Sequence, residues 1–203
     1  KYRHFVLGII GIFVYMGIEV GTPTYVNMYL VNTPELGINA ATAGLIVAVY
    51  WALMMVGRFV GASIGSKVSS RAMITTVSSA TLVLVLFGMF APTDVTVSVP
   101  GIDWANLSVI WAQVPVGIFA FLLVGLCSSV MWGGIFNMAV EGLGKYTAVA
   151  SGIFMTMVFG CAVMLAIQAQ VAEMTDYMTS YWVVVFCAVY LLFYALVGSK
   201  VKK

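Results

Sequence analysis

The sequence predicts an all-α polytopic membrane protein crossing the bilayer six times. Six apolar runs, each about 20 residues or longer, occupy most of the 203 residues, and a span needs about that length. The composition is 63% hydrophobic and only 8% charged, which excludes an ordinary soluble domain. The nine Lys and Arg fall in or near alternate gaps between the runs, while the other gaps hold only Glu and Asp. Lys and Arg are retained in cytoplasmic connections, so this alternation places both termini in the cytoplasm, in a plasma (inner) membrane.

The whole chain, 1–203, reads as a single six-helix transmembrane domain. The first span covers about 5–31 and ends at Val31-Asn-Thr-Pro-Glu-Leu-Gly37, a set of turn residues with one acid, Glu35. The second, 42–64, ends at the basic connection Ser66-Lys-Val-Ser-Ser-Arg71, short enough only for a tight cytoplasmic turn. The third covers 72–91. An external loop, 92–112, follows; in its 92–106 part Val95, Val97 and Val99 alternate with Thr96 and Ser98, which predicts an extended or hairpin-like segment. The fourth span, 113–140, leads into the Gly-containing turn Glu141-Gly-Leu-Gly-Lys-Tyr146; the fifth covers 146–171 and the sixth 181–197. Glu173 and Asp176 mark the outside between the last two, and the chain finishes in Gly198-Ser-Lys-Val-Lys-Lys203. The Lys1 start suggests a piece of a longer chain.

Composition also excludes several functions. The net charge of +2 sits at helix ends, where it meets lipid headgroups, so membrane lipid is expected as a neighbour and nucleic acid is not. Cys127, Cys161 and Cys187 lie in three different runs and read as free packing thiols. His4, the sole histidine, reads as an interfacial residue. No metal, cofactor or enzymatic chemistry is expected: no His cluster, paired carboxylates or nucleophile with a base lies within the runs.

An ionised carboxylate in hydrocarbon costs at least about 2.5 kcal/mol, so intramembrane acids mark functional sites. Glu19 is the one acid deep in a run. At about 1.5 Å per residue it lies about 21 Å along a span of about 40 Å, near the midplane. Around it Gly17-Ile-Glu-Val-Gly-Thr-Pro23 weakens the helix, and Pro23 removes a backbone donor. Interrupted helices at the midplane are where secondary transporters place substrate. A Glu held only for structure is the alternative. Asn27, eight residues on, continues a polar stripe toward the external mouth. In the fourth span Ser129 and Trp132 share a face, with Asn137 further along, and Gln168 lies in the fifth; rings and amides of this kind bind polyols, though they also serve helix packing. Tyr50 and Trp51 are weaker candidates.

Gly57, Gly61 and Gly65 form overlapping GxxxG steps that should pack against protein. Arg58, within snorkelling reach of the cytoplasmic end, is expected to gate or brace the structure by pairing with Glu141. No deep cation is expected to face Glu19, which disfavours an anionic solute.

These residues resemble the fucose, galactose and glucose symporter branch of the major facilitator superfamily, in its carboxy-terminal half, spans 7–12. The most specific match is Met131-Trp-Gly-Gly-Ile-Phe136 followed by Glu141-Gly-Leu-Gly-Lys-Tyr-Thr147 and Ser151-Gly152. Tyr15-Met-Gly-Ile-Glu-Val-Gly21, Tyr50-Trp51 with Gly57-Arg-Phe-Val-Gly61, and Gln168 are similar to other family stretches. Gly133 and Leu165 stand where the family has prolines, and the 92–106 insert is unusual for it. The resemblance implies one half of a major facilitator fold, built from two inverted three-helix repeats. It further implies a sugar (hexose or deoxyhexose) carried with a proton or sodium ion by alternating access, and an amino-terminal six-helix half facing this one. The rivals are a major facilitator carrier for a non-sugar solute and a structural or assembly subunit without substrate.

Overall fold

The computed structural model describes residues 2–103, 106 and 108–200. Lys1, Lys202 and Lys203 of the basic termini, and residues 104, 105 and 107 of the external loop, lie outside the described residues. Among those described, six helices are long and apolar enough to cross a membrane: α1 (Arg3–Asn32), α2 (Ala40–Ile64), α3 (Ser70–Phe90), α4 (Val116–Val140), α5 (Gly144–Met174) and α6 (Thr179–Gly198). Local chemistry sets several of their ends. Asn39 accepts from the Thr42 N–H at 2.8 Å and opens α2, Ser69 accepts from the Ala72 N–H and opens α3, and Gly142 and Gly144 turn the chain with positive φ of 72° and 53°. Asp176 accepts from the backbone N–H and hydroxyl of Thr179 at the start of α6, and these hydrogen bonds hold its carboxyl below the usual range.

The external loop is an antiparallel hairpin of β1 (Thr96–Asp103) and β2 (Ser108–Pro115), with Thr96 opposite Pro115 and Val99 opposite Ala112. The fourth helix therefore begins at Val116 and not at Gln113, which pairs with Ser98 inside the hairpin. Apolar residues continue without a gap from strand to helix, so hydropathy does not mark the junction; Pro115, which cannot donate to a ladder, does. The hairpin is docked on the start of α2. The Ile102 N–H donates to the Thr42 hydroxyl and Asn39 Nδ2 donates to the Ile102 carbonyl.

Helices in lipid gain from close backbone approach and interhelical hydrogen bonds, because lipid is as apolar as Leu. Gly57 and Gly61 lie against α4, where a Cβ would overlap Ser129 and Val130; Gly65 faces only carbonyls of its own helix. Tyr15, Tyr50 and Tyr181 are fully buried, and each phenol donates to a backbone carbonyl of another helix. His4 is buried, not interfacial: its Nε2 lies 2.8 Å from the Glu141 carbonyl and ties the start of α1 to the end of α4. Arg71 Nε donates to the Ser199 hydroxyl at that same end of the bundle, where α1 begins and α6 finishes. Cys127, Cys161 and Cys187 are free thiols.

Candidate functional site

Helix α1 carries a π-helical turn over Gly17–Gly21, and Glu19 sits in it. Pro23 has no N–H to offer the Glu19 carbonyl four residues back. The Tyr50 phenol, from α2, supplies the missing donor at 3.0 Å and also lies 3.2 Å from the Ser128 hydroxyl. Just beyond the turn, Tyr181 of α6 donates to the Thr22 carbonyl at 2.8 Å. Tyrosines from two other helices thus hold open a helix that its own sequence has loosened. Wide turns of this kind are rare and are frequently found at functional positions.

The loosened turn faces a hollow of about 470 Å³ walled by Met16, Glu19, Arg58, Ser129, Trp132 and Met155, among others. Four helices meet there: α1, α2, α4 and α5. The Glu19 side chain is 13% exposed, so it reaches the hollow while most of its surface is covered. Helix α4 is interrupted by a turn at Ser129–Val130, immediately before Trp132. Trp132 is stacked on Phe136 at 5.6 Å and met edge-on by Phe154 at 5.7 Å, which fixes the orientation of its ring.

Arg58 is placed differently from the sequence expectation. Its guanidinium lies 3.5 Å from the Glu19 carboxylate, the sole ion pair among the described residues, and not on Glu141. Counting from the helix end gives the depth of Arg58 but not which neighbour its face meets, and α2 turns that face toward α1. A cation does therefore face Glu19. Arg58 is 62% exposed, so the pair lies at the rim of the hollow and is screened by solvent. Glu141 instead shares a separate polar hollow with Arg71 and Asn137 at the other end of α4.

The remaining candidates do not converge on the Glu19 hollow. Gln168 is 1% exposed and buried between helices, with Nε2 directed to the Ser180 hydroxyl at 3.4 Å and Oε1 packed on Gly21. Its amide belongs to the packing around the far side of the π-turn. Asn27 is half-buried on α1, two turns from Glu19 and outside the walls of the hollow. Asn137 is exposed and lines the hollow of Glu141. Tyr50 is a residue whose role sequence reasoning understated; the signal was present in Pro23, whose missing N–H requires a donor from elsewhere.

No protein-family model matches the chain. Among known proteins, a glucose/galactose transporter of Brucella abortus biovar 1 (strain 9-941) is 30% identical over 200 residues, covering 98% of this chain and 43% of the relative. A putative glucose/galactose transporter of Helicobacter pylori (strain J99) is 28% identical over 207 residues, covering 98% and 45%. Among solved structures, FucP, a major facilitator superfamily transporter in the outward conformation, superposes with a TM-score of 0.82 at 19% identity, over 99% of this chain and 44% of that one. The E. coli fucose:proton symporter FucP superposes with a TM-score of 0.81 at the same identity. The chain spans less than half the length of the relatives it matches. Over nearly its whole length the chain is similar in sequence to glucose/galactose transporters, and its fold is that of about half of the major facilitator superfamily transporter FucP.

Proposed function

We propose that this chain is the carboxy-terminal half of a secondary carrier that moves a hexose or deoxyhexose together with a proton or sodium ion by alternating access. Both ends of the chain would then be cytoplasmic in the plasma membrane, with an amino-terminal six-helix half closing the hollow. The observation that supports this most is Glu19 on a tyrosine-braced π-turn, opening into the space shared with Ser129 and Trp132. In this reading the carboxylate accepts sugar hydroxyls and exchanges the coupling proton, Ser129 adds a hydroxyl, and the fixed ring of Trp132 covers an apolar sugar face. Asn27, Gln168 and Asn137 lie outside this first contact.

A second reading is favoured by one observation, the guanidinium of Arg58 beside Glu19. Protonation of Glu19 would release Arg58 to pair with a carboxylate on the solute, which suits a sugar acid. Competition against labelled galactose uptake by the full-length carrier in membrane vesicles separates the possibilities. The sugar reading expects glucose, galactose or fucose to compete and galacturonate not to, with Arg58→Met leaving that order unchanged. Uptake of labelled galacturonate in place of labelled galactose, lost in Arg58→Met, would establish the second reading. No binding of any of these solutes would leave the subunit without substrate as the explanation.

A further inference from the structure

Away from the Glu19 hollow, a groove of about 510 Å³ runs between α2, α3 and α4. Its walls include Val60, Ile64, Val68, Val77, Ala80 and Cys127, and are aliphatic over almost their whole extent. Val60 and Ile64 are 52% and 42% exposed, so the groove is open on the side away from the bundle. The lining residues lie within the membrane-spanning segments, except Val68 in the turn between α2 and α3. At 1.5 Å per residue the lined stretches of α2 and α3 are each about 10 Å long, which for this volume gives a mean width of about 8 Å. A helix, at about 10 Å or more across, does not fit; an acyl chain does.

One cation, Lys67, follows directly on the groove-lining stretch of α2 in sequence. Lys67 lies between Ile64 and Val68, both of which line the groove, is exposed, and forms no ion pair among the described residues. The next cation, Arg71, is engaged elsewhere, with its Nε on the Ser199 hydroxyl. An apolar channel in the hydrocarbon layer with an uncommitted ammonium at its headgroup end is complementary to an anionic amphiphile, and anionic lipids are enriched in the cytoplasmic leaflet.

We propose that this groove binds one phospholipid with an anionic headgroup, its acyl chain between α2 and α3 and its phosphate on Lys67. The inference uses the cytoplasmic placement of Lys67 and does not depend on which solute the carrier moves. Native mass spectrometry of the full-length carrier, offered phosphatidylglycerol or phosphatidylcholine with identical acyl chains, tests it. About fivefold preferential retention of phosphatidylglycerol is expected, from the attraction of one lysine near the membrane surface. Lys67→Gln should equalise the two lipids, and Ala80→Trp, which fills the groove, should remove the retained lipid. In the unaltered carrier, which needs no variant to fold, phosphatidylglycerol should slow alkylation of Cys127 by N-ethylmaleimide. Equal retention of both lipids, retention undiminished by Ala80→Trp, or Cys127 alkylation indifferent to lipid would each overturn the proposal and mark these lipids as annular only.

Discussion

On the proposed function, replacing Glu19 by Gln is expected to lower sugar uptake by the full-length protein at least about tenfold and to flatten its dependence on external pH, while the melting temperature hardly moves. A hydrogen bond to a charged group contributes about 1.5 to 3 kcal/mol, which corresponds to about 10- to 100-fold in binding. Gln keeps the shape of Glu19 and one acceptor oxygen but cannot exchange a proton at the pH of transport. Stability should be spared, since the one ion pair lost is to Arg58, whose side chain is 62% exposed. Exposed pairs of this kind are worth at most about 1 kcal/mol. Uptake and pH profile both unchanged in Glu19→Gln would remove this carboxylate from the mechanism.

Tyr50→Phe should have the opposite signature, a clear loss of stability together with weaker solute binding. The phenol is fully buried and is the donor that serves the Glu19 carbonyl left without a partner by Pro23; it also meets the Ser128 hydroxyl. Removing it strands a backbone acceptor inside the bundle, at a cost of about 1 to 3 kcal/mol. The π-turn can recover a partner only by rewinding, which moves Glu19 away from Ser129 and Trp132. Thermal unfolding in detergent and equilibrium sugar binding check both parts. A variant as stable as the parent, with unaltered sugar affinity, would show that the turn holds itself open without Tyr50.

The six spans are legible because a bilayer imposes a length on apolar runs, which is a property of composition. The hairpin was legible in the Val95, Val97 and Val99 alternation, but its second strand was not: residues 108–115 are as apolar as the helix that follows them. Glu19 stood out because an acid deep in an apolar run has so few explanations. The partners of polar side chains were harder to read. Arg58 was assigned to Glu141 by depth, and the structure pairs it with Glu19, since depth along a helix says nothing about the azimuth at which it faces its neighbours. Gln168, a ligand candidate by sequence, lies against Ser180 and Gly21; an amide that binds solute and one that joins helices have the same sequence signature. Tyr50 was undervalued for the converse reason: its importance arises from a donor missing in another helix.

In the proposed carrier, water reaches Glu19 halfway across the membrane. Cysteine accessibility tests it most directly: Glu19→Cys, in a full-length carrier with Cys127, Cys161 and Cys187 replaced by Ala, is treated in sealed vesicles with a charged, membrane-impermeant methanethiosulfonate. Labelling that saturates within minutes is the expected result. A thiol at this position that stays unreactive from both sides of the membrane, while a cysteine placed in the external hairpin labels normally, would contradict a wet cavity at Glu19 and the carrier mechanism that depends on it.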